Sequence, residues 1–461
     1  MNAIDVLAGL WADAGLDARD LARARLEGAE PALPSSFAVG TAAQASIAAA
    51  ALAASTLGGR GGAPPCGVAV DMRAAAQECT GWFSIDGRVP ERWDKISGLY
   101  ACRAGWVRIH ANFAHHRDGA LRLLGLPPGP DTPRAAVAEA LARHDALAFE
   151  ADAAAAGLVV AAARSFAQWD AHPHARAVAA QPLIGWERIG EAPPVPLPPP
   201  AARPLAGIRV LDLTRILAGP VCGRTLAAYG ADVLLVNAPH LPNIESIIET
   251  SRGKRSCHVD LDTAAGRAAL AALVGGAHVF VQGYRPGALA ARGFGPADLA
   301  RLRPGIVCVS LSAYGDAGPW AGRRGFDSLV QTATGFNLAE AAAAGADAPQ
   351  PLPVQILDYA SGFLMAFAAQ AALLRQAREG GSWHLRVSLA RTGLWLRSLG
   401  RIPEGLAAPW PPREPHVEAS MSGWGELRAI AHAARLDGVP AGWALPAMPP
   451  GTHPPSWSGR P

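Results

Sequence analysis

The stretch VQILDYASGFLMAFAAQAALLRQ, residues 354–376, places a single carboxylate, Asp358, at the head of a long apolar run with no second acid and no histidine. A carboxylate that titrates at its ordinary value of about 4 is ionised at neutral pH and needs no partner to carry charge. Where a strand runs into a helix, such a group accepts N–H bonds as an N-cap and favours the positive end of the helix dipole. Position alone therefore assigns Asp358 to capping a helix that begins near Tyr359. Other reactive side chains form no familiar set. His110, His115 and His116 in HANFAHHRD lack the cysteines or carboxylates that would complete a metal site, so no metal is expected. The turn TRILAGPVCG after the first strand of the second half lacks the GxGxxG pattern, which disfavours a dinucleotide oxidoreductase.

The elements that must position Asp358 follow from alternation. GIRVLDL, ADVLLVNA, AHVFVQGY and GIVCVSLSAYG are short β-branched-rich runs, and helix-like segments such as GPVCGRTLAAYG and DTAAGRAALAALVGG separate them. Strands alternating with helices predict a parallel, Rossmann-like sheet whose ligands bind beyond the carboxyl ends of the strands. Residues 190–207, GEAPPVPLPPPAARPLAG, are proline-rich and form the clearest linker. The resulting division is 1–88, a small α+β domain over 89–190, a linker over 191–206, the parallel-sheet domain over 207–400, and a proline-rich tail over 401–461. The first segment also echoes the region of Asp358. Residues 43–72 and 360–389 each read as a small-residue helix, a glycine pair and a strand around Val70 or Val387, but no acid lies between Glu30 and Asp71.

The 461 residues exceed the usual size of one domain. Half are apolar and 17% charged, as in a globular protein, and the net charge of +3 without a polybasic block points to neither nucleic acid nor a membrane surface. The run 42–57 is too short and too weakly hydrophobic to span a bilayer comfortably. Six scattered cysteines and an N-terminus without a basic, apolar leader fit a reduced cytoplasmic protein.

The run GIRVLDLTRILAGPVCGRTLAAYGADVLLV resembles the opening of the family III CoA-transferases. RGKRSCHVDLDTAAGRAALAALVGG continues the resemblance through GYRPGAL and SAYGDAGPWAGRRGFD to about residue 389. The small domain also resembles the family's second domain, here placed before the large one, as in a permuted or truncated tandem arrangement.

The resemblance implies an α/β fold with a Rossmann-like CoA-binding domain and a smaller α+β domain. It makes Asp358 the nucleophile, attacking an acyl-CoA to give a mixed anhydride and then an aspartyl-CoA thioester that a carboxylic acid discharges. It assigns CoA contacts to Arg215, Ile216, Lys254, Arg255, Tyr284, Pro286, Gly287 and Arg324. It further implies a homodimer, acyl-CoA and a small carboxylic acid as substrates, and no permanently bound cofactor. Two alternatives stay open: an acyl-CoA racemase, whose branch carries a histidine where this chain has Phe326, and a catalytically degenerate acyl-CoA-binding protein.

Overall fold

The computed structural model describes residues 1–60, 64–199 and 201–457, so Pro200 of the linker, 61–63 of the first echo and 458–461 of the tail fall outside it. Its organising element is a seven-stranded sheet. In chain order the strands and helices that matter here are β1 (Ala24–Glu27), α1 (Val39–Gly58), β2 (Val68–Asp71), α2 (Met72–Glu78), β3 (Gly185–Gly190), β4 (Arg209–Leu213), α3 (Ala218–Ala228), β5 (Asp232–Asn237), β6 (Lys254–His258), β7 (Val279–Gln282), β8 (Val307–Ser312), α4 (Asp327–Thr334), α5 (Ile356–Glu379), β9 (Ser382–Ser388), α6 (Leu389–Ser398) and β10 (Ala434–Leu436).

The large sheet runs β6-β5-β4-β7-β8-β9-β3. Its first six strands are all parallel and follow the doubly wound order, with the switch point between β4 and β7. Val210, Leu211, Phe280 and Val309 are fully buried, as expected of a parallel sheet covered on both faces. The seventh strand is antiparallel and comes from before the linker. Residues 185–190 therefore belong to the large sheet rather than to the small domain.

The small domain is built on the antiparallel strands Gly98–Ala101, Trp106–Ile109 and Val160–Ala162, with Val107 and Ile109 in its core. The opposite face of its middle strand turns towards α4, because side chains alternate along a strand.

The expected tail is structured. Val417–Ser422 and Gly425–Ile430 form a hairpin that pairs with Phe83–Ile85, and β10 pairs with β2 to give a three-stranded sheet, β1-β2-β10. Both ends of the chain thus build one unit, which short strands among prolines did not announce.

Helices α1 and α5 are long and apolar enough to cross a bilayer, yet both are buried within the protein. Alanine supplies the helix propensity of α1, and its small side chains pack against α5. The fully buried Phe363, Leu364 and Phe367 of α5 contribute about 1.5–3 kcal/mol each. Gln370 Nε2 donates to Ala50 O at 3.0 Å, and Phe367 stacks on Trp11 at 5.8 Å, tying α5 to the first segment.

Candidate active site

Asp358 is the third residue of α5 and only 7% exposed. It is not the cap. The N-cap position is Gln355, which makes no capping bond; instead Asp327, the first residue of α4, accepts the Asp358 N–H at 2.9 Å. Asp327 also accepts from Gln331 Nε2. Gln331 in turn accepts the Leu352 N–H at 3.0 Å, fixing the segment that feeds α5. An extended segment would turn Asp327 to the side opposite Phe326, but the chain is not extended at Asp327. Asp327 opens a helix, so its side chain is not bound by strand alternation.

Burial is the main force on this pair. It lifts the Asp327 carboxyl to about 7 despite the N–H bonds that favour its charge. It also pushes Asp358 well above the usual carboxylate range, with the neighbouring Asp327 adding to the effect. The expectation that Asp358 is ionised at neutral pH like a solvated aspartate is thereby corrected: the pair resists holding two charges.

A cavity of about 480 Å³ opens at the carboxyl ends of the strands around the switch point, bounded by Leu213, Asn237, Gly283 and Ser312. Arg215, Arg285, Arg292, Arg323 and Arg324 line it, against one carboxylate, Asp262. Asp262 is paired with Arg292 at 2.7 Å and Arg323 with Glu150 at 3.2 Å. Among the described residues, Arg215, Arg285 and Arg324 have no carboxylate partner, so the cavity is cationic. Ile216 holds φ +77° in the turn after β4, which is costly for a β-branched residue and typical of functional turns. Tyr284 and Pro286 stand between this cavity and a second of about 390 Å³, which Gly287 also lines.

Arg215, Ile216, Tyr284, Pro286 and Arg324 thus meet at one cavity, with Gly287 beside it. Lys254 and Arg255 do not. Lys254 is in a strand rather than a turn, and its Nζ donates to Asp212 Oδ2 and Pro220 O, both at 2.8 Å, with no exposed side-chain surface. It ties β6 to β4 and α3 and cannot reach a phosphate. Arg255 is bound to both oxygens of Asp232 and donates to Ser456 O at 2.7 Å, away from the cavity.

The sequence did not single out Arg285, Arg323, His115 or His116 for this cavity. The histidines come from the small domain, and His116 Nε2 meets Arg324 Nη1 at 3.1 Å. Burial, and then the charges of His115, Arg324 and Arg215, lower His116 to about 3, so its neutral ring can accept from Arg324. Phe326, the residue before Asp327, forms the cavity wall nearest the carboxylate pair in sequence. As for metal, His240, Asp260 and Asp262 have donor atoms within 4.8 Å of one another, but Asp262 is already engaged by Arg292.

Residues 205–401 match the family model described as CoA-transferase family III. Over 211 residues the chain is 34% identical to "Probable fatty acyl-CoA transferase Rv3272" of Mycobacterium tuberculosis, covering 43% of this chain and 53% of that protein. Over 205 residues it is 34% identical to the succinate–glutarate CoA-transferase of Agrobacterium fabrum, covering 40% and 51%. A crystal structure of Rv3272 aligns with 43% of this chain and 58% of that one at 34% identity and a TM-score of 0.40. The chain spans about half the length of these curated relatives. The segment 205–401 is thus similar to CoA-transferase family III.

Proposed function

We propose that the protein transfers CoA between an acyl-CoA thioester and a carboxylic acid, with Asp358 as the covalent nucleophile. The observation that carries this reading is the arginine-lined cavity at the switch point, whose wall residue Phe326 leads directly into the Asp327–Asp358 pair. Arg215, Arg285 and Arg324 offer the phosphates of CoA charge-assisted bonds worth about 1.5–3 kcal/mol each. The Asp358 carboxylate attacks the thioester carbonyl and expels the CoA thiolate, leaving a mixed anhydride. The thiolate then attacks the Asp358 carbonyl and releases the first acid. The acceptor carboxylate repeats these steps in reverse and leaves as the new thioester, with Asp358 restored.

This route asks Asp358 to be ionised, so exchange rises with pH as the carboxylate pair loses its proton. Racemisation would need a second base. Phe326 carries no proton, and Asp327 spends its oxygens on the head of α5 and on Gln331. A homodimer in the cytoplasm is part of the same proposal, and the six free cysteines suit a reducing compartment. A monomer mass in light scattering well above micromolar concentration would count against the dimer.

The test is isotope exchange. The wild type should move CoA from an acyl-CoA to a labelled free acid without taking deuterium from solvent at the α-carbon. Deuterium uptake without acid exchange would replace transfer by racemisation. Binding of CoA with neither reaction would leave an acyl-CoA-binding protein.

A further inference from the structure

The middle strand of the small domain, Trp106–Ile109, turns Arg108 and the following His110 towards α4, opposite to the core residues Val107 and Ile109. Arg108 is 7% exposed and His110 4% exposed. A buried guanidinium normally has a carboxylate partner, because its desolvation is expensive otherwise. Among the described residues Arg108 has no ion pair, and its Nε is buried without a hydrogen-bond acceptor. The half-exposed Trp93 lies 5.2 Å from its charge. His110 is in the same condition, since its Nδ1 is buried and unpartnered. Its ring stacks on Phe326 at 3.9 Å and meets Trp93 edge-on at 5.7 Å. Burial keeps His110 neutral, at about 3, so its ring has one N–H to donate.

Two groups with unpaired nitrogens thus stand beside Trp93, and His110 also stacks on Phe326, the residue that leads into the carboxylate pair. The Arg108 charge is felt at Asp327 but is offset by burial, which lowers Arg108 to about 10. Both groups can donate, and among the described residues this corner offers these two nitrogens no acceptor. We propose that Arg108 and His110 hold a carboxylate of the acceptor acid while Asp358 carries CoA. This rests on the CoA-transfer reading and gives it an acceptor subsite built by the small domain. Trp93 forms its outer cover. The unpaired arginines of the large cavity, Arg215, Arg285 and Arg324, belong to CoA on this reading. The shared chemistry is a carboxylate, from either the reacting end of a monocarboxylic acid or the far end of a dicarboxylic one.

The experiment compares Arg108→Gln and Arg108→Lys with the full-length wild type, using acetate and succinate as acceptors. Arg108→Gln should raise the acceptor KM about tenfold or more, with the Asp358–CoA adduct still forming from acyl-CoA at the wild-type rate, and Arg108→Lys should recover part of the loss. A larger effect on succinate assigns the far carboxylate, and an equal effect on both acids assigns the reacting one. An unchanged acceptor KM, or adduct formation falling in parallel with exchange, overturns the proposal and leaves Arg108 as a counter-charge to Asp327. If Arg108→Gln does not fold, His110→Phe keeps the stack on Phe326 and removes only the nitrogens; it should raise the acceptor KM several-fold, and no change overturns the site. If the wild type forms no adduct at all, the CoA-transfer reading fails separately. Succinate calorimetry then decides for the subsite, with equal affinity in wild type and Arg108→Gln overturning it.

Discussion

Helices α1 and α5 begin in the same way and differ in one residue that matters. Their N-cap residues have nearly the same backbone, φ −75° and ψ 59° at Ala38 and φ −79° and ψ 61° at Gln355, and neither makes a side-chain cap. In both, the third helical residue gives its N–H to a carboxylate from outside the helix. Thr41 donates to Glu30 Oε1 at 2.6 Å, and Asp358 donates to Asp327 Oδ2 at 2.9 Å. Each helix is followed by a strand in a parallel pair, Leu26 facing Val70 in one unit and Leu311 facing Val387 in the other. Each strand ends in a residue that caps the next helix, Asp71 for α2 and Ser388 for α6. The N-terminal segment therefore repeats the scaffold of α5 with threonine in the place of Asp358, the proposed nucleophile. On the proposed function, scaffold and chemistry are separable: the external carboxylate and the buried helix persist where Asp358 has no counterpart.

Copying the first helix head onto the second is the strongest way to test this separation. Asp358→Thr should reduce exchange on the order of 10⁴-fold or more, as loss of a covalent nucleophile does. It should also raise the melting temperature at neutral pH, because a carboxyl held above its ordinary range by burial is removed. Thermal melting and exchange moving in opposite directions is the expected signature. Lys254→Met is next in size. It strands Asp212 as a buried charge and should cost about 3–5 kcal/mol in denaturant unfolding. CoA affinity of the folded fraction should stay within about twofold. A large loss of CoA affinity without loss of stability would return Lys254 to the phosphate site.

The pair at α5 should also appear as a pH dependence. Asp327 is raised from 3.8 to about 7, so between those values the folded state keeps a proton that the unfolded chain has lost. Its contribution to stability is full below about 3.8 and is lost as pH rises through about 7, with a slope of at most about 1.4 kcal/mol per pH unit. Asp327→Asn should flatten that part of the stability profile, and an unchanged slope would mean that Asp327 titrates normally. The smallest expected effect lies between the helices. Gln370→Met removes one bond to Ala50 and should cost about 1 kcal/mol.

Much of this was legible in the sequence, and the failures share a cause. The parallel sheet was legible because its strands are β-branched runs set between helical segments, and Asp358 stood out as the lone acid of α5's apolar run. The echo of 43–72 in 360–389 was visible as composition, and equivalent caps at Asp71 and Ser388 give it structural content. Lys254 misled because a motif match says nothing about burial, and its partner Asp212 lies two strands away in the sheet. Arg108, His110 and His116 looked unremarkable because only the docking of the small domain on α4 brings them to the site. The C-terminal strands escaped because they are short and pair with segments from the other end of the chain.

Of the two helix heads, Asp358 alone should react. Mass spectrometry of peptides, after the protein is incubated with a panel of acyl-CoAs and the thioester is trapped with hydroxylamine, reads this out residue by residue. The expected result is modification on the peptide that carries Asp358 and none on the peptide that carries Thr41 and Glu30. Acid exchange proceeding with Asp358 unmodified, or modification at Glu30 or Asp327 instead, would contradict the assignment.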